Sequence, residues 1–248
     1  MAEIPGGSRN SLNEANRDRS EFSRYGGLGA AGFISPYDSQ QAGKFLSKPG
    51  DVSIVNRAGD VLADFEIAVA WDNVVVEKEV SFFKRFFKKK VLQSGVDIDL
   101  GCLYQLKNGK RGAMQAFGEE HGAYDAPPYI FLSGDERRGD RKGPDETILV
   151  NGTHWDEIDR ILIYVYIYGG VDNWDAVKPQ IQVRVPGEEP KVVTLNARKN
   201  EMALCAVAKL TNIRGGIRMT SLMEYFPGHA ELDRAFGYGL EWESGQKE

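Results

Sequence analysis

What this sequence lacks narrows its function first. No run of about 18 apolar residues occurs in its 248 residues, roughly the length a membrane-crossing helix needs. The opening "MAEIPGGSRNSLNEANRDRS" has no apolar core, so a secretory signal is not expected. Cysteine is nearly absent. Cys102 and Cys205 are too few for a disulfide framework or a thiolate zinc site, and the expectation is two buried, reduced thiols in a cytosolic protein. Histidine is scarce too: His121, His154 and His229 stand far apart, and no Ser or Cys nucleophile is marked beside any of them. There is no G-x-x-x-x-G-K-[ST], no G-x-S-x-G, and no G-x-G-x-x-G opening a helix after a strand. Positive charge is not in excess, since 31 basic residues face 36 acidic ones for a net charge of -5. A nucleic-acid partner is therefore not expected, and neither is an enzyme.

What is present reads mainly as strand. Residues 1–46 are rich in Ser, Asn, Arg, Gly and Gln. Such a stretch buries too little apolar surface to offset chain entropy, so it reads as a disordered or loosely docked tail. From Asp51 the pattern changes. In "ADFEIAVAW" Phe65, Ile67, Val69 and Trp71 alternate with smaller or polar residues, the period of a half-buried strand. "VDIDLGCLYQL" is a further strand, ended by the Asn108-Gly109 turn, with "KRGAMQAFG" returning beside it. "YIFLS" and "ETILVN" flank an acidic stretch, and "THWDEIDR" reads as a short capped helical turn.

"RILIYVYIY" is apolar or aromatic on both faces, which suits a central strand. "QIQVRV" places Ile181, Val183 and Val185 inward and Gln182 and Arg184 outward. "PKVVTLN" and "EMALCAVAKL" continue the sheet, Gly215-Gly216 turns a hairpin into "IRMTSL", and "GHAELDRAFGYG" closes as a helix. Many strands with Gly- and Pro-containing turns and little helix predict an antiparallel β-sandwich over residues 47–248.

Residues 77–95 interrupt that pattern with a basic, aromatic insertion. Phe82, Phe83, Phe86 and Phe87 share one stripe if this segment is helical, and Lys84, Arg85, Lys88, Lys89 and Lys90 flank it. An amphipathic basic helix of this kind suits an anionic membrane surface or an acidic partner. A connector whose Phe residues pack on the sandwich while its lysines stay in water fits the same residues.

The acids concentrate in "SGDERRGDRKGPDE", Ser133 to Glu146, where three glycines and four basic residues are interleaved. Ca²⁺ takes six to eight oxygen ligands, and glycine lets a loop offer carbonyls as well as carboxylates. Asp97 and Asp99, two apart on a strand, share a face and form a ligand pair, with Asp135, Asp140, Asp145 and Glu146 as further oxygens. An EF-hand is excluded, since Gly101 and Asn108 stand where acids are required. A solvated turn whose acids pair with their own cations is the other reading.

The order of "VDIDLGCLYQLKNG", "PPYIFLSGDERRGD", "DETILVNGTHWDEIDRILIYVYIYGG", "IQVRVPGEEPKVVTLN" and "EYFPGHAELDRAFGYGLEW" resembles the TerD family of tellurite-resistance and stress-response proteins, in its TerA-like branch. The resemblance runs from about Gly50 to Trp242. It implies a TerD-type β-sandwich that binds or scaffolds other stress-response and tellurite-resistance proteins, in the cytoplasm or peripherally at the inner membrane face. It also implies Ca²⁺ held by acidic loops. Asp97 and Asp99 match the first two strand acids of that pattern, Asp135 the loop aspartate, and Asp145 with Glu146 the closing pair. Gly101 replaces the third strand acid, Glu136 stands where Asn is usual, Pro144 replaces an acid, and "IYGG" lacks a His-Asp step. Fewer carboxylates imply a weak or single Ca²⁺ site. The rival expectation is a protein that binds a small molecule or the tellurite oxyanion, or an enzyme acting on it.

Overall fold

The computed structural model describes residues 43–55, 61–71, 76–77, 93–94, 96–115, 121–132, 146–169, 174–197 and 202–242. In chain order the strands are β1 (Lys44–Phe45), β2 (Val52–Val55), β3 (Phe65–Ala70), β4 (Val76–Glu77) and β5 (Gln93–Ser94). Next come β6 (Asp97–Leu106), β7 (Arg111–Met114), β8 (Gly122–Ala123), β9 (Ile130–Leu132) and β10 (Glu146–Val150). The last five are β11 (Ile158–Gly169), β12 (Gln180–Arg184), β13 (Lys191–Thr194), β14 (Leu204–Ile213) and β15 (Gly216–Phe226). A 3-10 helix, Gly152–Glu157, precedes β11, a short helix, Trp174–Val177, precedes β12, and a C-terminal helix, His229–Phe236, follows β15. Asn151 caps the 3-10 helix by accepting from the Thr153 N–H, the local chemistry behind the expected helical turn.

Among the described residues these strands form two large sheets and a small ladder. One sheet runs β1-β13-β12-β3-β10-β9-β8, the other β2-β15-β14-β11-β6-β7, and β4 pairs with β5. Neighbours are antiparallel except β1 and β13. The expected β-sandwich is therefore what the chain builds. Side chains two apart on a strand share a face, and Ile67, Val69, Ile98, Leu100, Ile163 and Ile181 join one core between the sheets.

β11 is central, between β6 and β14, which explains its two apolar faces. Its inward residues Ile161, Ile163 and Val165 join the main core. Its outward Leu162 and Tyr164 join a second cluster with Leu103, Leu204 and Leu232, the last from the C-terminal helix. That helix ends at Gly237, whose φ of 68 is the left-handed cap that glycine adopts without strain. The chain then folds back onto Asp233, whose carboxylate accepts from the Gly239 and Leu240 N–H groups at 2.7 Å and from Trp242 Nε1 at 2.9 Å.

Three boundaries differ from the sequence reading. β3, expected to be half-buried, is buried on both faces. β12 alternates as expected, yet its outward Gln182 and Arg184 are buried as well. Hydrophobic alternation tells which face a residue takes, not whether water reaches that face. Finally, Lys44–Phe45 pairs with β13 and Leu46 enters the core, so the sheet takes in residues that composition assigns to the tail. Among the described residues no helix is long and apolar enough to cross a membrane.

Candidate metal centre

Three of the six candidate ligands are described, Asp97 and Asp99 on β6 and Glu146 at the start of β10. Asp97 and Asp99 point away from the main core, on the face opposite Ile98 and Leu100. In the register with β11, Asp97 faces Gly169, Asp99 faces Tyr166 and Gly101 faces Tyr164. Asp99 is 3% exposed. Glu146 opens β10 in line with the inward Ile148 and Val150, and is 1% exposed. Its Oε2 accepts a hydrogen bond from the Leu100 N–H at 2.5 Å. β7 ends at Met114, opposite Cys102, so the Leu100 N–H lies past the last described pair of that ladder and takes a carboxylate in place of a strand. The structure thus brings the Glu146 carboxylate to the residue next to Asp99.

Two of the three tyrosines of β11 feel that negative charge. Burial, then Cys102, Asp99 and Glu146, hold the Tyr164 hydroxyl well above its usual pKa. Burial, then Asp99 and Tyr168, raise Tyr166. The Tyr164 ring lies over Gly101: a Cβ there would stand 2.3 Å from Tyr164 Cζ. Its hydroxyl donates to the Met114 carbonyl at 3.2 Å. No side chain fits at position 101 while that ring is in place, a steric reason for the missing third acid of the strand.

Of the six residues named as ligands, Asp97, Asp99 and Glu146 are described. Asp135, Asp140 and Asp145 lie outside the described residues. Their flanks are described, since Leu132 closes β9 and Glu146 opens the neighbouring antiparallel β10. Among the described residues no group of three or more His, Cys, Asp or Glu stands as a ready metal site. The described carboxylates are hard oxygen donors of the kind Ca²⁺ takes, but three residues do not complete six to eight ligands. The remainder would have to come from the acidic stretch.

Phe82, Phe83, Lys84, Arg85, Phe86, Phe87, Lys88, Lys89 and Lys90 also lie outside the described residues. The base of that insertion is described, because Val76 pairs with Ser94 and Glu77 with Gln93. The insertion therefore leaves and rejoins the domain through one short antiparallel ladder.

The other scarce residues are packed. Cys102 and Cys205 are free and buried. Burial pushes the Cys102 thiol up to about 12, and burial also raises Cys205. Both stay protonated at neutral pH, where thiolate chemistry is closed to them. Trp174 is a core-edge residue whose Nε1 donates to the Met202 carbonyl at 2.8 Å. His154 stacks on Tyr129 with ring centroids 4.0 Å apart.

Three features escaped the sequence reading. Arg184 Nη1 meets Glu66 Oε1 at 2.7 Å, and its Nε and Nη2 donate to Gln182 Oε1 at 3.0 and 2.6 Å. His229 sits in an aromatic cage, with ring centroids 5.1 Å from Trp242, 5.1 Å from Tyr164 and 5.2 Å from Tyr166. A cleft of about 600 Å³ opens among Ser47, Thr194, Asn196, Met202, Met223 and Tyr225. Each joins residues distant in sequence. The alternation in "QIQVRV" was the one signal for the first.

No family model matches the chain. A crystal structure of an unknown-function protein, SAV2460, has a TM-score of 0.44 and 15% identity over 73% of this chain and 99% of that one, too distant to carry an argument. Over 152 residues the chain is 39% identical to the tellurium resistance protein TerA of Alcaligenes sp. That stretch is 61% of this chain and 44% of the relative, so the chain spans less than half of that protein's length. Over that stretch the chain is similar to a tellurium resistance protein, in line with the resemblance its motifs carry.

Proposed function

We propose that the chain is a non-enzymatic binding component of a tellurium-resistance system whose docking surface is set by Ca²⁺. The observation that carries this reading is the buried Glu146 carboxylate on the Leu100 N–H, one residue along β6 from the buried Asp99, where the acidic stretch rejoins the sheet. A bound cation would offset the cost of burying these carboxylates. It would also tie β6 to the acidic stretch and so fix a surface for partner proteins of the same resistance system. Buried, protonated thiols favour binding over reduction.

Calorimetric titration of Ca²⁺ into chelator-stripped protein tests the proposal. Heat and a rise in melting temperature at millimolar Ca²⁺ are expected, both lost in Asp99→Asn and Glu146→Gln. Neither signal appearing in the parent protein would overturn the metal reading. We further propose that the protein sits in the cytoplasm, peripherally at the inner membrane face, held by the stripe from Phe82 to Lys90. Co-sedimentation with anionic vesicles should then fall with added salt and in Lys88→Glu/Lys89→Glu; salt-insensitive or absent binding would count against it.

The cleft at Tyr225 favours a second reading, a small-molecule binder, because its volume lies in the range of ligand sites. Titration with tellurite separates the two readings: saturable binding abolished by Met223→Trp would favour the cleft over the metal end.

A further inference from the structure

The described edge strands are protected unequally. An edge strand exposes unpaired N–H and C=O groups, and proteins blunt such edges by shortness, charge, glycine or a covering segment. β1 has two residues, one of them Lys44. β8 also has two, beginning with Gly122 at φ 81. On β7, Arg111 Nη1 donates to the Tyr238 carbonyl at 2.9 Å, holding the segment after the C-terminal helix beside it. β2 is different. Its sequence "VSIV" carries no charge, proline or glycine, and Val52 and Ile54 are 37% and 49% exposed.

The hydrogen-bond parity of β2 is legible. The β2–β15 register pairs Val52 with Thr220, Ser53 with Met219, Ile54 with Arg218 and Val55 with Ile217. One step earlier, the Ser221 N–H donates to the Asp51 carbonyl at 2.9 Å, while the Ser221 carbonyl accepts from the Gly50 N–H at 2.8 Å, so Asp51 turns its carbonyl toward β15 as a member of a hydrogen-bonded pair does. Such pairs recur every second residue in an antiparallel ladder. Ser53 and Val55 therefore turn their backbone groups toward β15, while Val52 and Ile54 turn theirs to the open edge. Among the described residues no other strand lies on that edge.

We propose that β2 is a self-association edge, taking a second copy of this chain in antiparallel register about a two-fold axis through Ser53. This register opposes Val52 of one copy to Ile54 of the other, twice. The four outward backbone groups of each copy then bond as two hydrogen-bonded pairs, and the exposed apolar side chains meet on one face. Any register that shifts by one residue sets exposed side chains against buried ones. The segment is neutral, so the copies meet there without like-charge contact, and an isologous interface is satisfied by the strand itself. Neither the metal centre nor the cleft is involved.

Sedimentation of the full chain over a concentration series tests this proposal, with melting temperature as the fold control. A reversible dimer is expected. Ile54→Lys should weaken it at least about tenfold, by burying a charge at the seam. Ile54→Pro should do the same while sparing the β15 ladder, because the N–H it removes points outward. In the proposed register Ser53 faces its own copy in a non-hydrogen-bonded pair, at a Cα separation of about 4.5 Å, within disulfide reach. Ser53→Cys should therefore form an oxidised dimer, and Val52→Cys should not. A chain that stays monomeric overturns the proposal, as does a dimer that survives both Ile54 variants. A dimer cross-linked through Val52→Cys but not Ser53→Cys overturns the register.

Discussion

The two sheets cover their outer faces by different physics. On the six-stranded sheet, Leu103, Leu162, Leu204 and Ala206 pack against Leu232 of the C-terminal helix. That layer is held by area removed from water, which is indifferent to direction. On the seven-stranded sheet the outward residues of β3 and β12 include Glu66, Gln182 and Arg184, all buried and joined by hydrogen bonds. Each bond there depends on the partner that remains, so the loss of one group leaves another stranded in a low-dielectric place. The apolar face should degrade in proportion to what is removed, and the polar face should fail all at once.

Paired variants break or keep that distinction. Arg184→Met should cost about 3–5 kcal/mol in urea unfolding, because it leaves Glu66 buried without its cation. Adding Glu66→Gln should recover most of that loss. Leu232→Ala should cost about 2–4 kcal/mol, the size of its lost transfer and cavity terms, with no second substitution on its own face that restores it. A double variant as unstable as Arg184→Met alone would remove the distinction.

A smaller effect is expected where the apolar face meets the acids. Gly101→Asp would restore the third strand acid, yet its Cβ would meet the Tyr164 ring at 2.3–2.6 Å. Moving that ring should cost about 1–3 kcal/mol, read as a lower urea midpoint, and should not tighten Ca²⁺ in calorimetry. Pairing it with Tyr164→Ala opens the space. If Gly101→Asp alone bound Ca²⁺ more tightly at full stability, the ring would not be the reason for the glycine.

Strand identity was legible because period-two alternation, as in "ADFEIAVAW", and a short run apolar on both faces, as in "RILIYVYIY", are local properties. The pairing of Asp97 and Asp99 on one face was legible for the same reason. The place of Glu146 against Leu100 was not, because it depends on where β7 ends and how the two sheets face each other. Arg184 shows the limit most clearly. Its alternation placed it outward, and a charged outward residue reads as solvated, but its burial follows from contacts between residues 118 apart. The family resemblance flagged Gly101 as a departure, and the Tyr164 ring supplies the physical cause.

The smallest effect separates the two faces by pH. His229 lies over the apolar face, caged by Tyr164, Tyr166 and Trp242, and burial lowers its pKa to about 4 from the model-peptide 6.5. A base whose folded pKa is depressed binds fewer protons folded than unfolded. Its contribution is therefore complete above about pH 6.5 and is lost as pH falls toward 4. At pH 5 the loss should reach on the order of 1–2 kcal/mol. Carboxylates elsewhere titrate over part of the same window, so the informative quantity is the difference between the parent and His229→Phe. That difference should grow between pH 7 and pH 4.5 and stay flat from pH 7 to 8. The polar ladder should contribute nothing to it, since both proteins carry Glu66, Gln182 and Arg184 unchanged. Equal pH slopes in the parent and His229→Phe would mean that the imidazole is solvated, and that the C-terminal helix covers this face less completely than Leu232 alone suggests.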